Sequence, residues 1–211
     1  MYINNFFSTP IWSERKIDFI TSLNKFSNKY IKEARNRNKN HIKKYGDAFI
    51  SHRSTTLLQD NNFLDFKNYV ELKSKEFLDH MSYDLSNYTT LFSQMWVQEF
   101  AKKGGGHHSA HIHSNQHVSG FYFLKSSNKT SYPIFHDPRT SARSTKLILK
   151  NKVSNVSSGL DTIRFKTEPG LLIIFPGYLE HEFSVDYGLE PFRFIHWNMQ
   201  AIPKEMAKDE F

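Results

Sequence analysis

Five of the eleven histidines lie between positions 107 and 117, and this cluster has the clearest chemical potential in the chain. His111 and His113 are two positions apart, and residues i and i+2 of a β-strand point to the same face. Both imidazoles can therefore approach one metal ion if this segment is a strand end. For the other three histidines of the cluster we expect loop or outward-facing positions: His107, His108 and His117.

Two later residues extend this arrangement. His181 opens a short segment that follows an apolar run and the turn Pro176-Gly177. Arg193 lies in an otherwise apolar, aromatic segment, where an arginine pairs with a carboxylate of the protein or of a ligand. In a barrel with a metal at its mouth, Arg193 would be well placed to grip a ligand carboxylate with two nitrogen donors.

The combination of histidines fits a ferrous site. Two histidines from one strand end and one from a later strand can occupy one face of an octahedral Fe(II) ion. The opposite face then stays open for a chelating cosubstrate and O₂. Because the chain has no cysteine, any metal must be held by histidine or carboxylate side chains.

The elements that must position these residues differ between the two halves of the chain. Apolar residues recur with a helical period over 16–36 and 61–82, which predicts two amphipathic helices. From about residue 90, short aromatic and β-branched runs separated by turn residues predict about nine strands, one of them at 145–150. Strands of this length and number indicate a β-sandwich, a jelly roll or a barrel.

No proline- or glycine-rich linker marks a boundary between the halves. We therefore expect residues 1–211 to form a single domain, with a helical N-terminal layer over 1–90 and the β core over 91–203. Aromatic residues make up 15% of the chain, which excludes a disordered protein. The longest apolar run, Leu171–Phe175, is far too short for a membrane helix. The first residues lack the features of a secretory signal, and with no cysteine we expect a cytoplasmic protein without a membrane partner.

The formal net charge of +7 is concentrated in the N-terminal part. Its densest stretch, Lys29–Lys44, has two interpretations: a polyanion-binding patch, or a solvated helix end and loop. No nucleic-acid-binding motif accompanies it, so a nucleic-acid partner stays an alternative that the sequence does not favour.

The motifs taken together resemble a family of Fe(II)/2-oxoglutarate oxygenase-like proteins common in phages and marine bacteria. The resemblance covers about residues 93–200. The segments that carry it are Met95-Trp-Val-Gln, His111-Ile-His113, Ser119-Gly-Phe-Tyr-Phe123, His136-Asp-Pro-Arg139, Phe175-Pro with His181, and Arg193 to Asn198. It implies an α+β fold, with a double-stranded β-helix core (jelly-roll, cupin-like) beneath the N-terminal helical layer.

The resemblance also implies roles for individual residues. His111 matches the first iron ligand and His181 the distal one. Arg193 matches the basic residue that pairs with the C5 carboxylate of 2-oxoglutarate. Tyr122 either adds a hydrogen bond to that cosubstrate or is a core tyrosine lining the barrel.

The third ligand departs from the commoner pattern, in which a carboxylate follows the first histidine by two positions. Here His113 takes that place, as a neutral ligand or with water completing the site. The carboxylate of Asp137 is an alternative third ligand. A further alternative starts the motif at His113 and puts Asn115 in the acidic position.

The function implied is that of an Fe(II)- and 2-oxoglutarate-dependent dioxygenase, which hydroxylates a substrate and releases succinate and CO₂. The substrate would be a small molecule or a peptide. The alternative is a non-oxidative, cupin-like module that binds a metal or a small anion. Oligomeric state stays open, a homodimer included, and a phage-encoded chain would work in the host cytoplasm.

Overall fold

Two antiparallel sheets form the centre of the protein. The structure is a computed structural model that describes residues 2, 7–145, 147–149 and 159–207. Within these residues the strands are β1 (Trp12–Arg15), β2 (Ser51–Arg53), β3 (Tyr88–Phe100), β4 (His108–His111), β5 (Val118–Lys125), β6 (Pro133–His136), β7 (Thr162–Arg164), β8 (Leu171–Pro176), β9 (His181–Phe183) and β10 (Arg193–Pro203).

The strands alternate between a major and a minor sheet. The major sheet has the order β1-β8-β5-β10-β3-β2 and the minor sheet has the order β4-β9-β6-β7, with antiparallel pairs throughout. From β3 to β6 the chain crosses from one sheet to the other at every step, and from β7 to β10 it does so in reverse order. This winding confirms the expected α+β double-stranded β-helix.

Two long helices, α1 (Ile20–Arg37) and α3 (Leu64–His80), cover the outer face of the major sheet. The shorter helices are α2 (Lys39–Tyr45), α4 (Thr140–Ser144) and α5 (Lys204–Ala207), and one 3₁₀ turn at Asn61–Phe63 precedes α3. The buried residues of α1 are Leu23, Ser27, Ile31 and Ala34, which follow the helical period read from the sequence. The two expected helices therefore correspond to α1 and α3.

The major sheet separates two apolar clusters. On its outer face Trp197, Tyr122 and Ile195 pack with Leu23 of α1 and Phe66 of α3. On its inner face, between the sheets, the cluster is almost entirely aromatic, and its phenylalanines are Phe100, Phe121, Phe123, Phe135, Phe175, Phe183, Phe192 and Phe194. Alternate residues of β5 and β10 thus belong to different clusters, as the period of two in a strand requires.

The N-terminal part is not purely helical. It also supplies β1 and β2, which pair with β8 and β3 at the two edges of the major sheet. Eight of the nine strands expected after residue 90 are present. Of the ninth, at 145–150, residues 146 and 150 lie outside the described residues, and the remainder is not a strand. No helix in the described part is both long and apolar enough to cross a membrane, and the single-domain assignment of 1–211 stays a prediction.

Candidate metal centre

The minor sheet brings the histidines of two separate segments together. His111 ends β4 and His181 begins β9, and the two are direct cross-strand partners. The chain turns just after His111, where the backbone N–H of His113 donates to the carbonyl of Gly177 at 2.9 Å. This bond ties the first histidine segment to the Pro-Gly turn that precedes His181.

The turn after His113 requires unusual backbone geometry. Asn115 has a φ of 62°, in the left-handed region that asparagine tolerates better than most residues. At Gly177 a Cβ atom would overlap the backbone carbonyl of Gln116, so only glycine allows this close approach. Asn115 is itself exposed and lies outside the group of possible metal ligands, so the structure does not place it in the acidic position.

Three histidines converge on one point. The ligand atoms of His111, His113 and His181 all lie within 4.8 Å of one another. The Nε2 atoms of His113 and His181 are buried and have no hydrogen-bond partner. Buried polar atoms are normally paired, and a metal ion would satisfy both of these. The donor set therefore fits a transition-metal ion such as Fe(II).

Backbone carbonyls set the tautomers of two of these rings. Nδ1 of His111 lies 2.7 Å from the carbonyl of Ser109, and Nδ1 of His181 lies 2.9 Å from the carbonyl of Leu179. A carbonyl only accepts, so each Nδ1 carries the proton and each Nε2 keeps a free lone pair. This is the arrangement that a metal-binding imidazole needs.

Burial keeps four histidines at this site neutral. Together with smaller contributions from neighbouring imidazoles, it lowers the pKa of His181 to about 3 and the pKa values of His108 and His113 to about 4. The pKa of the fully buried His196 lies well below its usual range for the same reasons. Because a metal binds the deprotonated imidazole, these rings are ready to bind at neutral pH.

The three histidines lie in a larger cavity of about 240 Å³. Phenylalanines line its inner wall, and its polar lining comes from β2, β3, β4 and β10: Arg53, Gln94, Gln98, His108 and His196. The guanidinium of Arg53 lies 3.6 Å from the ring centroid of Trp96, which fixes its position at this cavity.

Sequence reasoning missed Arg53 and His196 and expected His108 to face outward. Period-two alternation in β10 was the available signal for His196, because it places Phe194, His196 and Asn198 on one face. The ring of His196 is stacked on that of His113 with centroids 4.7 Å apart. No sequence signal distinguishes Arg53, since β2 reaches the site only through its pairing with β3.

Arg193 lies on the other face of the major sheet, which corrects the role expected for it. Its Nε and Nη2 donate to Glu99 at 2.7 and 2.6 Å. Its Nη1 donates to Ser27 at 2.9 Å and to Asn28 at 2.8 Å, both on α1. Strand alternation groups Arg193 with the outward-facing Ile195, so its guanidinium cannot enter the histidine cavity.

Tyr122 is corrected in the same way. It is fully buried in the helix-side cluster, and its hydroxyl donates to the backbone carbonyl of Lys16. Its neighbours Phe121 and Phe123 face the interior between the sheets. Tyr122 is therefore a core residue, but it packs against the helices and does not line the barrel, and the cosubstrate role does not agree with the structure.

The remaining candidates lie away from the three histidines. Both carboxylate oxygens of Asp137 accept from the guanidinium of Arg139, at 3.0 and 2.8 Å, and Asp137 is not in the ligand group. His107 is exposed, and its Nδ1 is hydrogen-bonded to the backbone carbonyl of Gly105. His117 is exposed as well, and its Nδ1 accepts from the backbone N–H of Ala201.

A family match covers the segment that holds the site. Residues 94–189, a little under half of the chain, match the model of a family described as putative 2OG-Fe(II) oxygenase. No curated protein matches the chain in sequence. The matched segment contains the three converging histidines but neither Arg53 nor β10.

Solved structures of low sequence identity share the fold. SnoN, a non-heme α-ketoglutarate-dependent epimerase from nogalamycin biosynthesis, has a TM-score of 0.57 at 8% identity, with 91% of this chain and 78% of that chain covered. A prolyl-4-hydroxylase from Pseudomonas putida has a TM-score of 0.52 at 12% identity, with 92% and 94% covered. A prolyl hydroxylase from Trichoplax adhaerens, solved with a peptide fragment, has a TM-score of 0.51 at 11% identity, with 95% and 87% covered.

These likenesses show the fold alone. The chain spans 54% of one further match, an oxidoreductase of the 2OG-Fe(II) oxygenase family from Burkholderia pseudomallei, with a TM-score of 0.43. The family match over residues 94–189 points to the 2OG-Fe(II) oxygenases, whereas the phage and marine-bacterial subgroup stays a prediction.

Proposed function

We propose that this protein is an Fe(II)- and 2-oxoglutarate-dependent dioxygenase that hydroxylates a substrate and releases succinate and CO₂. The observation that carries the proposal is the convergence of His111, His113 and His181 at one end of a double-stranded β-helix. The family match over residues 94–189 supports it. SnoN, which shares the fold, was solved with Fe³⁺ and α-ketoglutarate, another name for 2-oxoglutarate.

His111, His113 and His181 would hold the metal through three neutral imidazoles. A metal held in this way keeps its full charge, which favours an anionic chelator such as 2-oxoglutarate on the open face. When bound, the iron and cosubstrate supply the oxidation, in which O₂ is consumed and 2-oxoglutarate loses CO₂. The chain contributes fixed imidazole lone pairs, and the buried rings of Phe121 and Phe183 keep water from the inner wall.

Arg53 would bind the far carboxylate of 2-oxoglutarate. Among the described residues, it is the only lysine or arginine that lines the histidine cavity. Stacking on Trp96 holds its guanidinium, and Gln94 and Gln98 offer amide groups on the same wall. A guanidinium binds a carboxylate through two parallel hydrogen bonds, so Arg53 can replace Arg193 in this role.

The substrate would be a small molecule or a peptide. The structures that share this fold include an epimerase of nogalamycin biosynthesis and prolyl hydroxylases, one of them solved with a peptide. The half-exposed His111 and His113 mark the side of the cavity that faces solvent. We expect the substrate to approach from this side, since the opposite wall is closed by phenylalanines.

A second candidate function is a non-oxidative, cupin-like module that binds a metal or a small anion. The observation that favours it is the aromatic interior between the sheets, where Arg193 was expected and Phe192 and Phe194 lie instead. In this case the histidines would bind a metal without using 2-oxoglutarate.

Succinate release distinguishes the two functions. The protein is loaded anaerobically with Fe(II) and 2-oxoglutarate and then exposed to O₂, and succinate is quantified with and without candidate peptides and small molecules. We expect succinate that depends on iron, on 2-oxoglutarate and on His181. Tight iron binding without 2-oxoglutarate binding would instead favour the non-oxidative module.

A further inference from the structure

A second cavity, of about 370 Å³, lies at one end of the major sheet. It forms where β3 and β5 end and β10 begins, beside the last turn of α1 and the loop 188–191. It shares no lining residue with the histidine cavity. The proposed oxygenase function assigns no role to this cavity.

The lining of this second cavity is strongly cationic. Four basic residues line it, namely Arg35, Lys102, Lys125 and Arg193, against the two acids Glu99 and Glu190. Glu190 is already engaged, with its carboxylate 3.3 Å from the ammonium of Lys129, which is not a lining residue.

Glu99 cannot neutralise the remaining charge. Its two oxygens are shared between the guanidiniums of Arg193 and Arg35 in a nearly buried cluster. All three nitrogens of Arg193 are occupied, whereas Arg35 is about a third exposed and keeps donors free for another partner. No acidic side chain among the described residues pairs with Lys102 or Lys125.

Lys125 shows the electrostatic consequence. Its side chain is half-buried, and burial lowers its pKa; the positive charges of Arg193, Arg35 and Lys102 lower it further against the opposing effect of Glu99. Holding its proton in this position therefore costs free energy. An anion in the cavity would remove that cost.

We infer that this cavity binds a phosphate group, either free phosphate or the terminal phosphate of a small phosphate ester. Two uncompensated lysines match a ligand of about two negative charges, and a phosphate ester carries roughly −1.5 to −2 at neutral pH. The ammoniums of Lys102 and Lys125 and the free donors of Arg35 bind its oxygens. Arginine and lysine side chains are the usual protein partners of phosphate.

Calorimetric titration of the metal-free full chain tests this site. The probes are inorganic phosphate and glycerol 3-phosphate at constant ionic strength, with EDTA present so that no metal at the histidines contributes. We expect saturable binding that Lys125→Gln and Lys102→Gln each weaken by about tenfold or more. Lys103→Gln is the matched control, because Lys103 is an exposed neighbour that does not line the cavity, and its affinity should stay within about twofold.

The arms of the experiment separate the sources of the phosphate. Tighter binding of glycerol 3-phosphate would identify an ester ligand, and tighter binding of inorganic phosphate would identify the free ion. Absence of saturable binding, or equal losses in Lys103→Gln and Lys125→Gln, would overturn the inference. Tighter binding of a single-stranded oligonucleotide than of either probe would also overturn it, in favour of a polyanion surface.

The His181→Ala variant completes the design. Its phosphate binding should equal that of the wild type, because the two cavities have no residue in common. A loss in this variant would place the phosphate in the histidine cavity and contradict the second site. The outcome is independent of succinate release, so this inference and the proposed oxygenase function can fail separately.

Discussion

His111 and His181 are cross-strand partners in the β4–β9 ladder, with ring centroids 4.5 Å apart. Opposite residues of an antiparallel pair project to the same face, so the ladder itself holds the two rings together. His113 joins them from the turn that follows β4, with its ring centroid 5.0 Å from that of His181. Two ligands are thus held by a strand pair, and the third by a turn packed against Gly177.

Replacement of His181 tests the metal centre most directly. His181→Ala should lower the affinity for ferrous iron by more than about 100-fold, because a buried, correctly protonated ligand is lost. Anaerobic calorimetry and metal analysis measure the effect, and circular dichroism checks that the fold persists. His107→Ala is the matched control, since His107 is exposed and outside the site. Unchanged iron affinity in His181→Ala would rule out this ligand set.

His113 and Asp137 are competing candidates for the third ligand. His113→Ala should lose most of its iron affinity, whereas His113→Asp should keep iron because a carboxylate can occupy the same position. Asp137→Ala should bind iron normally, since the Asp137 carboxylate is held by Arg139. Metal analysis of the three variants side by side decides the matter, and the reverse pattern would assign the ligand to Asp137.

Arg53 should control affinity for the cosubstrate. We expect Arg53→Leu to weaken 2-oxoglutarate binding by about tenfold or more, with little change in iron binding. Anaerobic calorimetry in the presence of Fe(II) gives both affinities. Arg15→Leu is the control, because Arg15 is an exposed arginine that pairs with Glu168 at the surface. Equal 2-oxoglutarate affinities in Arg53→Leu and wild type would remove Arg53 from the site.

Arg193 should matter for stability rather than for cosubstrate binding. Both Arg193 and Glu99 are only 4% exposed, and removal of one partner of a buried ion pair leaves the other without full compensation. Arg193→Leu should therefore lower the free energy of unfolding by about 3–5 kcal/mol. Denaturant titration measures this loss, and Arg15→Leu should change stability by less than about 1 kcal/mol. A stable Arg193→Leu protein with impaired 2-oxoglutarate binding would restore the role expected from the sequence.

The buried histidines make the metal-free protein sensitive to acid. Since their pKa values are lowered in the folded state, the unfolded state binds more protons below its own pKa of about 6.5. The free energy of unfolding should be constant above that pH and fall as the pH drops from about 6.5 towards 4. Each fully buried ring contributes up to about 1.4 kcal/mol per pH unit.

Denaturant titrations between pH 7.5 and 4.5 measure this slope. His181→Gln removes one titrating ring from the site and should reduce the slope, whereas His107→Gln, at an exposed position, should not. A slope unaffected by His181→Gln would mean that other groups cause the acid sensitivity.

Local periodicity predicted most of the fold. The helical period found α1 and α3, and short aromatic runs found eight of the core strands, because both signals come from burying one face of each element. The sequence pattern did not predict β1, because its four residues carry no such signal. Its conformation depends on pairing with β8. The helix α2 was not predicted either, because none of its residues is buried and it therefore has no apolar face.

The histidines of the site were predictable, and their basic partner was not. His111, His113 and His181 stand at strand ends that the sequence marks with turns. The motif around Arg193 led us to expect this residue in the site. The period of two in β10 instead puts it on the same face as Ile195 and Trp197. Arg53 precedes His111 by 58 residues and His181 by 128, so only the assembled sheet brings it to them.

The positions of β1 and β2 have a practical consequence for anyone dividing this chain. They occupy both edges of the six-stranded sheet, so these two strands shield the backbone groups of β8 and β3 from other molecules. A fragment limited to residues 94–189, the stretch that matches the family, would expose these edges. It would also expose the apolar surface that α1 and α3 cover. Such a fragment is expected to self-associate into insoluble material, and the N-terminal segment therefore serves as a guard against aggregation.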